Sequence, residues 1–207
     1  LADVYLLDNS RGVNRSTFEF DSQVKNKSDR DKYEIRIRPD FWYNEYDGVK
    51  AGGSISGDYL KTHHVFDFKL WVNTGAGQWG LPNSVSASDY QFMSVMLDYK
   101  TSMARFWKRS DFVFSGRVLD GLYYYDVGVQ KFNKNRKTKY SFYYRSLYRP
   151  RDADLAYLLV RDGWNSGEFN NTINIDVKHD FSHKHGHGSI AANLRGSGPG
   201  SSYGYGR

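Results

Sequence analysis

The sequence predicts an all-β fold: an antiparallel meander of about ten strands forming a transmembrane outer-membrane β-barrel. Three observations predict it. Apolar and polar residues alternate through run after run of the chain, and a period of two puts each set on one face of a strand. Most runs are about ten residues long. A lipid-spanning strand needs ~9–11 residues, whereas strands of soluble domains cluster near ~5–6. Aromatic residues reach 17% although hydrophobic residues make up only 39%. Barrels that cross a membrane combine such a polar average with aromatic girdles. The competing expectation is a soluble antiparallel protein with one wet face.

The elements follow in order. Residues 1–15 carry no firm pattern and read as a lead-in, with the barrel domain over 16–207. Thr17 to Asp21 begins the alternation, and KNKSDRDK after it reads as a charged turn. Next, Tyr33, Ile35 and Ile37 alternate with Glu34, Arg36 and Arg38. Pro39 interrupts this strand, and its missing donor predicts a bulge or an edge. Tyr46-Asp47-Gly48 is a hairpin signal. Gly52 and Gly53 then predict a kink or a close backbone approach. Phe66, Phe68, Leu70 and Val72 alternate with Asp67, Lys69, Trp71 and Asn73.

Thr74 to Ser88 is a loop by composition. Met93, Val95, Leu97 and Tyr99 oppose Phe92, Ser94, Met96 and Asp98, a less clean alternation, and a basic turn runs from Thr101 to Ser110. Phe112, Phe114, Gly116 and Val118 stand against Ser115 and Arg117. Asp120-Gly121 is a two-residue hairpin signal. Tyr123, Tyr125, Val127 and Val129 then oppose Tyr124, Asp126, Gly128 and Gln130. After the turn NKNRKTK, Tyr140, Phe142, Tyr144 and Tyr148 oppose Ser141, Tyr143 and Arg145. Arg149 to Glu168 is the longest irregular stretch, and Leu155 to Val160 within it fits a small helix or a loop strand equally. Ile173, Ile175 and Val177 oppose Thr172, Asn174, Asp176 and Lys178, and a His-rich turn is expected over Ser182 to Gly188. Ile190, Ala192 and Leu194 oppose Ser189, Asn193 and Arg195 before a Gly/Ser loop at Gly196 to Ser202.

Alternate turns of a meander lie at opposite ends. Every second turn is basic: KNKSDRDK, LKTHH, KTSMARFWKRS, NKNRKTK and SHKHGHG. The other set holds both long loops. Long loops belong outside the cell and short turns in the periplasm, so the basic end is expected to face the periplasm.

Two sets of side chains follow from the alternation. Tyr33, Ile35, Ile37, Phe66, Phe68, Leu70, Val72, Phe112, Phe114, Val127, Val129, Phe142, Ile173, Ile175 and Val177 are expected to face lipid. Glu34, Arg36, Arg38, Asp67, Lys69, Arg117, Asp126, Arg145, Asp176 and Lys178 are expected to face the lumen. Mixed signs there suit cross-strand ion pairs filling the interior, with a water-filled path as the functional alternative.

Other chemistries find little support. The chain has no cysteine, so it has neither a disulfide framework nor a thiolate site. No window reaches the ~20 apolar residues of a spanning helix. The first residues lack the basic start and apolar run of a signal peptide. Beginning without Met and ending in SSYGYGR, the chain reads as an internal piece of a longer precursor. A net charge of +6 raises nucleic acid as a partner, but Lys and Arg recur singly rather than in one stripe, so none is expected. There is no HExxH, no Gly-x-Ser-x-Gly and no phosphate loop, so no catalytic residue and no cofactor is assigned. His179, His183, His185 and His187 form a His-rich tract of the kind that binds Zn, Cu or Ni, against the plainer reading of a solvated turn.

At RPDFWYNEYDGVKAGGSISGDYLKTHHVFDFKLWVNTG the chain resembles the C-terminal outer-membrane barrel region of some large Bacteroidota proteins with a gluzincin (HExxH) metallopeptidase-like part upstream. The residues that carry the likeness are Arg38, Trp42, Tyr43, Asn44, Asp47, Gly48, Trp71, Asn73, Thr74 and Gly75. Asn170-Asn171-Thr172, Leu194-Arg195-Gly196-Ser197 and Pro199-Gly200-Ser201 fit the same pattern. The Tyr-Asn-x-x-Asp-Gly element is also similar to surface-antigen barrels related to the outer-membrane assembly insertase. Those carry an Arg-Gly-aromatic motif, whereas Arg195-Gly196 is followed here by Ser197, which counts against insertase activity. The resemblance implies a bacterial outer-membrane location and further strands beyond Arg207. It implies an anchor or scaffold role in contact with outer-membrane lipid or lipopolysaccharide and with other outer-membrane or periplasmic proteins. A component of an assembly, secretion or transport complex is the alternative, and a soluble secreted β-sheet binding protein is a third.

Overall fold

In a computed structural model, residues 16–20, 33–44, 48–60, 63–76, 92–119, 122–148, 167–183 and 186–202 are described. They form one ten-stranded sheet in strict sequence order. The strands are β1 (Ser16–Phe20), β2 (Tyr33–Asn44), β3 (Gly48–Tyr59), β4 (His63–Asn73), β5 (Met93–Ser102), β6 (Ser110–Leu119), β7 (Leu122–Phe132), β8 (Thr138–Tyr148), β9 (Phe169–His183) and β10 (Gly186–Ser197). From β2 to β10 every neighbour pair is antiparallel. β1 and β10 are the two edges and do not pair, so the sheet is open.

The first pairing differs from expectation. β1 lies parallel to β2, with Ser16 opposite Tyr33 and Phe20 opposite Ile37. A parallel partner requires the chain to return to the starting end between the two strands. The connecting residues, KNKSDRDK among them, lie outside the described residues. β1 also covers β2 only as far as Ile37, which leaves Pro39 on the stretch with no partner on that side among the described residues. A residue without an amide donor loses nothing at such an edge.

One expected turn is shorter than composition suggests. β9 continues to His183 and β10 starts at Gly186, so most of the His-rich stretch is strand. His183 pairs with Gly186 and His187 with Ser182. Leu119 pairs with Leu122 around Asp120-Gly121, which itself lies outside the described residues, as do residues 45–47, 77–91 and 149–166.

Burial is inverted relative to a water-soluble sheet. Among the described residues, Tyr59 and Trp71 are the buried hydrophobic side chains. Glu34, Lys50, Ser54, Asp58, Asn73, Ser94, Ser141, Thr172 and Asn174 are buried on one face, and Ser110, Thr138, Ser146 and Asn171 on the other. That second face presents Ile37, Phe41, Ile55, Val72, Phe142, Ile175, Ile190 and Leu194, with Phe142 55% and Leu194 61% exposed.

The sheet curls toward its polar face. At Gly52 on that face, an added Cβ would overlap the Leu70 carbonyl oxygen of the neighbouring strand. At Gly128, on the same face further along, it would overlap the Phe142 carbonyl oxygen. Neighbouring backbones fold over these positions, which only glycine leaves room for. Gly52 is thus the close approach that its strand pattern predicts, while Gly53 meets only the Arg38 carbonyl oxygen at 3.3 Å.

Candidate functional site: the polar face of the sheet

In β2 to β10 every Asp, Glu and Arg side chain stands on the face toward which the sheet curls, as do all the strand lysines but Lys131. The ladder gathers Glu34, Arg36, Arg38, Asp67, Lys69, Arg117, Asp126, Arg145, Asp176 and Lys178 there. It places Tyr33, Ile35, Ile37, Phe66, Phe68, Leu70, Val72, Phe112, Phe114, Val127, Val129, Phe142, Ile173, Ile175 and Val177 on the other. On that apolar face Lys131 is the lone formal charge among the strand residues, near one end. Acids and bases on the polar face are close to balance, and its polar side chains gather in three clusters.

The first cluster joins β2 and β3. Arg36 donates to Asp58 at 3.1 Å and also to Glu34. Arg38 Nε donates to Ser54 Oγ at 2.9 Å. Two acids on one guanidinium offset the cost of burying all three groups.

The second cluster crosses the middle of the sheet. Arg145 Nε and one terminal nitrogen each donate at 2.8 Å to the two oxygens of Asp126 directly opposite. The same guanidinium donates to Tyr124 Oη at 3.3 Å, and Tyr124 in turn donates to Asp126. Tyr124 lies under two guanidinium groups, Arg117 at 5.6 Å and Arg145 at 5.3 Å, and Tyr143 flanks Arg145 at 5.3 Å. Such bidentate, ring-stacked geometry is what arginine provides and lysine does not. Asp98 accepts from Ser115 at 2.5 Å, and Arg117 lies 3.9 Å from it. On the β9 side, Asn174 Nδ2 donates to Thr172 Oγ1 at 2.9 Å and Arg195 Nε donates to Asn174 Oδ1 at 2.8 Å.

The third cluster lies where β2, β3, β4 and β5 approach the other end. Lys50 is 0% exposed. Its ammonium donates to Ser94 Oγ at 3.1 Å and sits 4.8 Å from the centre of the Trp42 ring. Ser94 donates on to Asn73 Oδ1 at 3.1 Å, and Trp42 packs edge-on against Trp71 at 6.0 Å. Thr74 Oγ1 donates to the Val49 carbonyl at 2.6 Å, and Val49 N donates to Ala76 O at 2.9 Å. Sequence reasoning missed Lys50 and Ser94. Lys50 sits in a strand of glycine and serine where alternation is faint, and only the pairing of Lys50 with Asn73 brings it here.

A cavity of about 430 Å³ opens on the polar face between β4 and β9. Its walls carry Asp67, Asp98, Asp126, Asp176, Lys100 and Lys139. Asp67 and Asp98 are directly opposite one another, and each has a cationic neighbour: Lys69 at 3.5 Å and Arg117 at 3.9 Å. Paired acids and bases of this kind suit a hydrated polar interior. They do not form a nucleophile with its base.

The two described histidine side chains of the His-rich tract lie on opposite faces. His179 shares the apolar face with Ile190 and contacts Thr138 at 2.8 Å, whereas His187 pairs with Ser182 on the polar face. The side chain of His183 and all of His185 lie outside the described residues. No group of three or more His, Asp or Glu side chains converges as a metal site among the described residues.

No family model, no curated protein and no solved structure matches the chain.

Proposed function

We propose that this chain forms the wall of an integral outer-membrane β-barrel that serves as a membrane anchor or scaffold. One observation carries the reading: the sheet gathers its charges on one face, with Glu34, Lys50 and Asp58 buried there, and exposes hydrocarbon on the other. In water this inversion leaves a broad apolar face hydrated, which is strongly unfavourable. In a bilayer it is the stable arrangement, with hydrocarbon outside and hydrogen-bonded polar groups inside. The strand lengths agree. Tyr33 and Tyr43 lie ten residues apart on the apolar face, ~33 Å along the strand, or ~25 Å of bilayer at a tilt near 40°. Closure comes from further pairing at the open edges, because an unpaired edge is untenable in lipid. An upstream periplasmic peptidase-like part is what the family resemblance adds, and the anchor role is drawn for that arrangement.

A second reading, a component of an assembly, secretion or transport complex, is favoured by the position of β10 at the edge of the described sheet. Its twelve residues have no strand beyond them among the described residues. An edge of that length is a template for another strand.

Reconstitution tests the first reading. The chain folded into phosphatidylcholine vesicles is expected to resist carbonate extraction and to migrate in a heat-modifiable way on gels. A monomeric, sheet-rich protein in buffer without detergent overturns it. Recovery from native membranes with barrel-assembly or secretion proteins supports the second reading, and recovery alone argues against it.

A further inference from the structure

Lys131 is the lone formal charge on the apolar face of β2 to β10, and its surroundings set it apart. It stands near the end of β7, opposite Tyr140 of β8. Its ammonium lies 4.1 Å from the centre of the Trp107 ring. Trp107 belongs to the tip between β5 and β6, which is closed on itself. Met103 N donates to Ser110 O at 2.8 Å, Trp107 N to Met103 O at 2.9 Å, and Ser110 Oγ to Trp107 O at 2.5 Å. The tip thereby holds Phe106 84% exposed beside the half-exposed Trp107.

The tip itself carries charge of one sign, and the adjoining acids Asp111 and Asp180 stand on the polar face beside Lys100 at 3.0 Å and Lys178 at 3.3 Å. Arg105, Lys108 and Arg109 are exposed on it, and no acid occurs between Met103 and Arg109. The adjoining turn between β7 and β8 has no acid between Phe132 and Lys139, and Arg136 there lies 5.9 Å from the centre of the Phe132 ring. The two segments are joined by the Phe132 N to Arg109 O bond at 2.9 Å. An apolar face thus ends in a rim of Trp and Tyr, crossed by one lysine and capped by basic turns. Aromatic rings settle at headgroup level, and basic side chains beside them attract anionic lipid phosphates.

We propose that this rim binds the headgroup of an anionic glycerophospholipid, with Lys131 between Trp107 and Tyr140 holding the phosphate and Phe106 immersed beside it. The inference rests on the membrane-barrel reading. It commits to the phospholipid leaflet because this is the end with the short basic turns, opposite both long loops.

The test uses the full chain in vesicles containing brominated phosphatidylglycerol or brominated phosphatidylcholine at equal fractions. The Trp107 signal is taken as wild type minus Trp107→Phe. We expect brominated phosphatidylglycerol to quench it more strongly, with the preference reduced roughly five-fold in Lys131→Gln, the factor one basic residue contributes near an anionic surface. Equal quenching by both lipids overturns the proposal while leaving the barrel reading intact. Loss of the preference on adding lipid A, with none on adding unbrominated phosphatidylglycerol, overturns the choice of leaflet. A protein that stays out of the vesicles overturns both readings, and carbonate extraction identifies that case. If Trp107→Phe does not fold, the preference in wild type against Lys131→Gln decides alone.

Discussion

Arg145 donates two hydrogen bonds of 2.8 Å to the carboxylate of Asp126, the residue directly across the β7–β8 ladder. The pair is central to the polar face: it touches Tyr124, and Asp126 and Tyr143 line the cavity. Cross-strand pairs of this kind fix register as well as contribute energy, because a slip by one residue would put the two charges on opposite faces.

Breaking this pair from one side should be costly. Both side chains are less than one-third exposed. Arg145→Met leaves Asp126 partly buried without its guanidinium, and Asp126→Asn leaves the reverse. Each single change is expected to lower stability by about 2 kcal/mol, between the values for exposed and fully buried pairs. The double variant should lose less than the sum. Urea unfolding of the reconstituted protein measures it, and strict additivity would show that the two side chains do not interact.

The environment of the apolar face is tested at Ile175, which is 42% exposed. Ile175→Arg should cost about 2–4 kcal/mol if the face meets hydrocarbon. A surface change in water would stay within about 0.5 kcal/mol. Folding yield into vesicles and unfolding midpoints separate the two outcomes.

Gly52 and Gly196 form a matched pair. A methyl group at Gly52 would overlap backbone atoms of Leu70 and Trp71, whereas at Gly196 nothing lies within 4 Å. Gly52→Ala is therefore expected to cost more than about 2 kcal/mol, and Gly196→Ala to be near neutral. Similar losses at both would contradict the curl of β3 against β4.

Lys50 gives a spectroscopic prediction. Lys50→Met keeps the aliphatic stem and removes the ammonium that lies between Ser94 and the Trp42 ring. A loss of about 1–2 kcal/mol and a shift in tryptophan emission are expected. Lys50→Glu should lose more, since it puts an anion against the ring face. An unchanged emission spectrum in both would place the ammonium away from Trp42.

Much of the architecture is legible without coordinates. Tyr33-Glu34-Ile35-Arg36-Ile37-Arg38 declares a strand with two unlike faces, and the same period recurs from β4 to β10. Because the side-chain period is two, membership of a face follows from position alone once a strand is identified. Partner choice is different. That Asp126 meets Arg145, or Lys50 meets Asn73 and Ser94, depends on registers set by hairpin lengths, some of them in stretches where composition misleads. The His-rich stretch reads as a turn yet is mostly strand, because a two-residue connection suffices between His183 and Gly186.

By itself, then, the sequence determined a meander of long two-faced strands, since alternation is a local property of the chain. Only the tertiary structure decided that β1 runs parallel to β2, which charges neutralise one another, and that the polar face is the buried one. Each of these depends on how strands far apart in the chain are aligned and curved. Close backbone approach at Gly52 and Gly128 bends the two-faced sheet toward its polar face.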